Sequence, residues 1–291
     1  MANPMGERPM ILRARDVEWE LDRTLVMGIV NVTPDSFSDG GEHFTDETAV
    51  AHALRLAEEG ADILDVGGES TRPGAPPVDA GEEWRRIANV IETIDRKTEV
   101  PISVDTYKPE IARKAIRAGA VIVNDVRGLM DIEMKRVVAN SGAGAVIMHM
   151  RGDPVTMQDD PKYEDVVAEV RTFLIRQMAA AMSEGISRDA IIIDPGFGFG
   201  KTPEQNAELL RGLGELRGLG RPVLAGVSRK SFLPKAPGDW EPRRKGASLA
   251  AVAVARIQGA DIVRVHDVAE TVPFLRALDG LMGPPEDPEN I

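Results

Sequence analysis

The chain has 291 residues, 28 of them Gly and 20 Pro, and no Cys. The lack of Cys excludes disulfides, thiolate catalysis, thiolate-bound zinc and iron–sulfur clusters. A net charge of −12 argues against nucleic acid or an anionic membrane as a partner, so positive charge for an anionic substrate has to be local.

Short, nearly all-apolar runs predict strands buried on both faces, and 3.6-residue periodicity predicts helices between them. In chain order these are strand Leu25–Val30, helix Glu47–Glu59, strand Ile63–Val66, helix Glu82–Lys97, strand Ile102–Val104 and helix Pro109–Ala118. Strands Val121–Val123 and Ala145–Met148 follow, then helix Asp165–Ser183, strand Ile191–Ile193, helix Pro203–Arg217, strand Val223–Ala225, helix Ala247–Gln258 and strand Ile262–Val265. Thr202-Pro203-Glu204-Gln205 is a capping box with Pro at the first helical position. Gly60, Gly119 and Gly259 stand between a helix and a strand, where a left-handed residue belongs. They also mark a weak repeat: each leads through a buried run to a polar residue in the same phase, Asp65, Asn124 and Arg264.

Eight strands alternating with helices in a chain of this length predict a single (β/α)₈ TIM barrel, with a doubly wound sheet as the other topology that alternation allows. The domain is taken as 1–291 with a core of about 22–282 and loose tails. No apolar run is long enough to span a bilayer, and Met1–Pro9 lacks the apolar core of a signal peptide, so a cytoplasmic enzyme is the expectation.

Catalytic groups of such a barrel lie just after the C-terminal ends of the strands. Here every predicted strand ends in polar residues: Asn31 to Gly41, Gly67 to Gly74, Asp105, Asn124-Asp125, His149, Asp194 to Thr202, Ser228 to Ser231 and Arg264 to Asp267. Each alone reads as a cap or turn; eight together on one rim read as a site. Gly200-Lys201-Thr202 is not a phosphate-binding P-loop, because Pro195 stands where its first Gly belongs, and Lys201 reads as structural. Arg264 and His266, two apart on a strand, point the same way and suit a phosphate group. Mg²⁺ is the expected metal, bound through Asn31 and phosphate oxygens, since it needs few protein ligands. Asp105, Asn124, Asp194 and Lys230 suit a heterocycle with several N–H donors and one carbonyl. The plainer readings are turn caps for Asp105 and Asp194 and an ion pair for Lys230.

These stretches resemble the dihydropteroate synthases of the folate pathway. The resemblance is carried by Met27 to Gly41, Asp65 to Gly74, Ser103-Val-Asp-Thr106, Asn124-Asp-Val126, Met148 to Gly152, Asp194 to Thr202, Gly226 to Phe232 and Arg264 to Val268, and covers almost the whole chain. It implies a (β/α)₈ barrel that joins 6-hydroxymethyl-7,8-dihydropterin diphosphate to p-aminobenzoate with Mg²⁺, as a homodimer. It assigns Asp105, Asn124, Asp194 and Lys230 to the pterin ring, and Arg264, His266 and Asn31 to the diphosphate and metal. Asp105, Lys230 and Asp35 take the catalytic role; Thr71 and Arg72 close over the substrates. Phe37, Pro73 and Ser231 shape the aminobenzoate pocket; Met148 and Phe199 suit packing either on the flat ring or in the core. A methyltetrahydrofolate-dependent corrinoid methyltransferase shares the fold and carboxylates but needs no diphosphate clamp. A non-catalytic pterin-binding paralogue is the second alternative.

Overall fold

The computed structural model describes residues 10–33, 46–70, 76–152, 157, 161–233 and 241–282. An antiparallel hairpin comes first, β1 (Ile11–Ala14) and β2 (Val17–Glu20). The alternating units follow: β3 (Leu25–Asn31), α1 (Asp46–Glu58), β4 (Ile63–Gly67), α2 (Ala80–Lys97), β5 (Ile102–Asp105), α3 (Pro109–Arg117), β6 (Ile122–Asp125) and α4 (Ile132–Ser141). Then come β7 (Gly144–Met148), α5 (Val166–Ser183), β8 (Ile191–Asp194), α6 (Pro203–Arg211), α7 (Leu213–Arg217), β9 (Leu224–Ala225), α8 (Glu241–Ile257), β10 (Ile262–Val265) and α9 (Val268–Met282).

The eight parallel strands run in the order β8-β7-β6-β5-β4-β3-β10-β9. The two ends meet through a bridge between Ile193 and Val223, where the Ile193 amide donates to the Pro222 carbonyl at 2.9 Å. The sheet is thereby the expected barrel rather than an open doubly wound sheet.

Strand alternation sorts the apolar side chains into two cores. Val26, Val30, Leu64, Val66, Val104, Val123 and Ile147 face outward and pack with the buried faces of the helices. Met27, Ile63, Ile122, Val146, Ile192, Leu224 and Ile262 face inward and fill the end of the barrel where the strands begin. Leu12 and Ala14 of β1 join this second core, so the hairpin plugs that end. The core therefore begins at β1, ahead of the limit read from the sequence. Arg221, itself buried, secures the plug by donating to the Ile11 carbonyl at 3.2 Å.

The helix boundaries follow local chemistry. The Thr202 capping box forms as expected, with Pro203 in the first turn. Gly60, Gly119 and Gly259 take φ of 97°, 123° and 93°, the left-handed geometry that the repeat requires. The single helix expected over Pro203–Arg217 is instead two, broken at Gly212. A Cβ at Gly212 would stand 2.8 Å from Val167 of α5, so the chain bends where it crosses that helix closely.

Leu12 is fully buried in the plug. Leu12→Ala is expected to cost roughly 2–5 kcal/mol of unfolding free energy, read by urea denaturation. A cost under about 0.5 kcal/mol, typical of a surface site, would show that the hairpin is no part of the core.

Candidate active site

Strand alternation also decides which polar residues enter the barrel. Asp65 and Gly67 of β4, Asn124 of β6, Asp194 of β8 and Arg264 of β10 share phase with the inward apolar positions on their strands, and Ser103 and Asp105 of β5 alternate with the outward Ile102 and Val104. Asp125, one residue on from Asn124, turns outward, and its carboxylate accepts from the Arg127 and Leu129 amides at 2.7 and 3.2 Å to close a turn.

The inward groups are joined. Arg264 Nε donates to Asp65 Oδ2 at 2.6 Å, and its Nη2 donates to Asp105 Oδ2 at 2.7 Å. Asn124 Nδ2 donates to the same Asp65 Oδ2 at 3.0 Å. One guanidinium is thus shared by two buried carboxylates. Burial pushes the Asp105 carboxyl up to about 7; Arg264 opposes that shift, and Asp65 adds to it. Among the described residues Asp105 caps no turn; the Lys108 amide donates to Thr106 Oγ1.

Asp194 does cap the turn after its strand, its Oδ1 accepting from the Gly196 amide at 2.7 Å. Burial pushes its carboxyl up to about 6 despite that bond. The Lys230 ammonium makes no ion pair or hydrogen bond among the described residues. Its Nζ stands 4.4 Å from the centroid of the Phe199 ring, a cation–π contact. Burial pulls it down to about 8, helped by Arg264 and opposed by Asp194 and Asp105. Phe199 and Met148 form a small apolar cluster with Val126 and Met157, separate from both cores, and so make a shelf beside the polar groups.

His266 is held neutral, pushed down to about 3 by burial and by the nearby Arg229 and Arg264. Ser228 Oγ accepts from the His266 amide at 3.2 Å and lies 3.1 Å from its Nδ1. A hydroxyl donating to Nδ1 would leave Nε2–H as a neutral donor. Ser231 is exposed at the start of the following loop. Asn31 ends β3, half-buried, and its side chain makes no hydrogen bond among the described residues. No group of three His, Asp or Glu that could cage a metal occurs among the described residues. A single hard amide oxygen fits Mg²⁺ only as an ion held jointly with ligand oxygens and water.

The loop after β8 is held by a buried cation. Lys201 Nζ donates to the Gly196 and Phe199 carbonyls, each at 2.9 Å, and to the His149 carbonyl at 3.4 Å. This is the structural role read from the sequence. Burial pulls Lys201 down to about 7. His149 is neutral, pushed down to about 2 by burial and the neighbouring Lys201.

The structure therefore brings together Asp105, Asn124, Asp194, Lys230, Arg264, Met148 and Phe199, with His266 and Asn31 on the rim. Asp35, Phe37, Thr71, Arg72 and Pro73 lie outside the described residues. One member of the site and one residue beside it were not singled out from the sequence. Asp65 is fully buried, and the glycine repeat placed it in phase with Asn124 and Arg264, the two groups it binds. Glu69, in the second rim stretch, turns aside to pair with Lys108 and to accept from Tyr107 at 3.0 Å. Nothing in its local sequence distinguishes it from a rim residue.

The family model described as pterin binding enzyme matches residues 27–266. The chain is 45% identical to dihydropteroate synthase of Escherichia coli K12 over 278 residues, covering 96% of this chain and 99% of that one. Its fold matches the Xanthomonas albilineans dihydropteroate synthase solved with 4-aminobenzoic acid, with TM-score 0.89, 49% identity and coverage of 95% and 100%. The same enzyme solved with 7,8-dihydropteroate matches with TM-score 0.85, 47% identity and coverage of 94% and 100%.

At Gly196, φ is +68° and an added Cβ would run into the His149 carbonyl oxygen. Gly196→Ala is expected to cost at least about 2 kcal/mol, read as a lowered Tm. An unchanged Tm would show that the loops after β7 and β8 are not pressed together in solution.

Proposed function

The chain belongs to the pterin-binding enzymes, with dihydropteroate synthases as its relatives, and we propose from that premise that it joins 6-hydroxymethyl-7,8-dihydropterin diphosphate to p-aminobenzoate. The products are 7,8-dihydropteroate and pyrophosphate. One observation carries the reading: an ammonium with no carboxylate partner among the described residues, Lys230, lies on an aromatic shelf beside Asp194 and the unpartnered, buried Asn124 Oδ1. That is a receptor for a flat ring with N–H donors and a carbonyl.

In this reading Asn124 Oδ1 and Asp194 accept from the ring N–H groups and Lys230 donates to the ring carbonyl. Phe199 and Met148 pack on its face. The diphosphate takes hydrogen bonds from Arg264 and from His266 Nε2–H. Asn31 would hold Mg²⁺, which when bound neutralises charge on the leaving group. The bond between the exocyclic methylene carbon and the diphosphate oxygen breaks, and its electron pair leaves with pyrophosphate. The carbon is left cationic, delocalised into the dihydropterin, and Asp105 stabilises it electrostatically. The neutral amine of p-aminobenzoate then forms the carbon–nitrogen bond and gives up one proton to solvent. No side-chain nucleophile is needed.

The proposal keeps Asp35 in a catalytic role, Thr71 and Arg72 in substrate closure, and Phe37, Pro73 and Ser231 in the aminobenzoate pocket. It also carries the homodimer and the cytoplasmic location implied by the family resemblance. No helix among the described residues is long and apolar enough to cross a membrane.

Purified protein with pterin diphosphate, Mg²⁺ and p-aminobenzoate is expected to yield dihydropteroate by mass spectrometry. Lys230→Ala should lower kcat/KM for the pterin substrate by about 10- to 100-fold or more, the worth of a charged hydrogen bond. No product from the wild-type protein would overturn the reading. The pH profile of kcat/KM supplies a separate check. Asp194 and Asp105 act ionised, so activity is lost as pH falls through about 7 to 6. Lys230 acts protonated, so activity is lost as pH rises through about 8. A flat profile between those limbs and beyond them would remove these three groups from the site.

A further inference from the structure

Asp65 is fully buried and stands level with Ser103, one inward-facing step deeper in the barrel than Asp105 and Asn124. Yet it binds two groups that the reading above gives to the substrate. Its Oδ2 takes both Arg264 Nε and Asn124 Nδ2. Among the described residues its Oδ1 has no hydrogen-bond partner, nor has Ser103 Oγ, which stands in register with it on β5. A buried carboxylate satisfied on one oxygen only is costly, and apolar packing would generally serve stability better. Stability alone is a poor reason for this residue.

Geometry supplies another. Because Asn124 gives its NH₂ to Asp65, its carbonyl oxygen is the atom left to face the site. The amide is thereby fixed as an acceptor. Arg264 grips Asp65 through Nε, near the root of its fork, and Asp105 through Nη2, at the fork's end. The inner bond can persist while the outer one is exchanged.

We propose that Asp65 is a positioning residue for the pterin diphosphate, acting through Arg264 and Asn124. The guanidinium pivots on Asp65, its outer nitrogen resting on Asp105 in the empty site and turning to the diphosphate when substrate enters. Asp105 is thereby neutralised while the site is empty and released when the ring arrives. The same Asp65 oxygen keeps Asn124 oriented to accept a ring N–H. This inference rests on the proposed reaction, and the test separates the two.

Steady-state kinetics of the wild-type protein and Asp65→Asn, varying each substrate in turn, provide that test. The substitution preserves shape and removes the charge that holds both partners. KM for pterin diphosphate is expected to rise about 10- to 100-fold, and KM for p-aminobenzoate to stay within about twofold. Equal rises in both KM values, or a fall in kcat with both KM values unchanged, would mean a merely structural role and overturn the inference. No change in any parameter would overturn it as well. Absence of turnover in the wild-type protein would instead defeat the reaction. If Asp65→Asn does not fold, the wild-type Arg264 Nε–H is followed by NMR as pterin diphosphate is added. The pivot requires that proton to stay hydrogen-bonded and slow to exchange; its release on binding would overturn the proposal.

Discussion

Two carboxylates and one guanidinium inside a barrel set the terms for the rest of this molecule. Asp65 and Asp105 are both buried, and Arg264 is the cation they share. Three charges at this depth would each cost several kcal/mol if left alone. They are held because neighbouring strands fix their directions. Asp65 sits on β4, two strands from β6 with Asn124 and two strands from β10 with Arg264. Alternate strands of a barrel supply the side chains of one interior layer, so the three meet across the lumen. The net negative charge that remains after pairing suits a site where a cation is to form.

The two ends of the barrel solve opposite problems. At the end where the strands begin, the lumen is apolar and needs a lid, and the hairpin supplies Leu12 and Ala14. At the other end the lumen is polar and has to stay open to a ligand, so the loops are braced from outside the lumen. Lys201 ties the loops after β7 and β8 through carbonyl oxygens. Lys108 and Tyr107 hold Glu69 of the loop after β4. The first brace uses charge to hold backbone and the second to hold a side chain, and Lys230 takes part in neither, while Asp194 adds its own turn cap to the loop after β8.

Much of this was legible in the sequence because parallel strands buried on both faces read as apolar runs. All eight barrel strands fall within a residue or two of their predicted limits. The hairpin escaped because its strands are four residues each and half polar: Arg13, Glu18 and Glu20 face solvent while Leu12 and Ala14 do not. The break at Gly212 escaped because it answers to Val167, 45 positions earlier in the chain, and no local pattern carries that contact. For the site, strand ends gave the residue types, but not which polar atom meets which. Asp194 turned out to cap a turn as well as line the mouth, and Asp105 to pair with Arg264 rather than cap.

Arg264 shows why residue type and position cannot settle a role. Its place on β10 beside His266 suits an anion at the rim, and the guanidinium nevertheless reaches inward to two carboxylates. Both placements follow from the same side chain: Arg is long enough to reach either, and its fork can hold one partner while changing the other. A lysine at this position would present a single point of attachment and would have to leave Asp65 to reach a phosphate. The planar fork lets the inner anion remain paired throughout, so the buried charge on Asp65 is never uncovered. A site that must be stable when empty and receptive to an anion can thus use one guanidinium for both states.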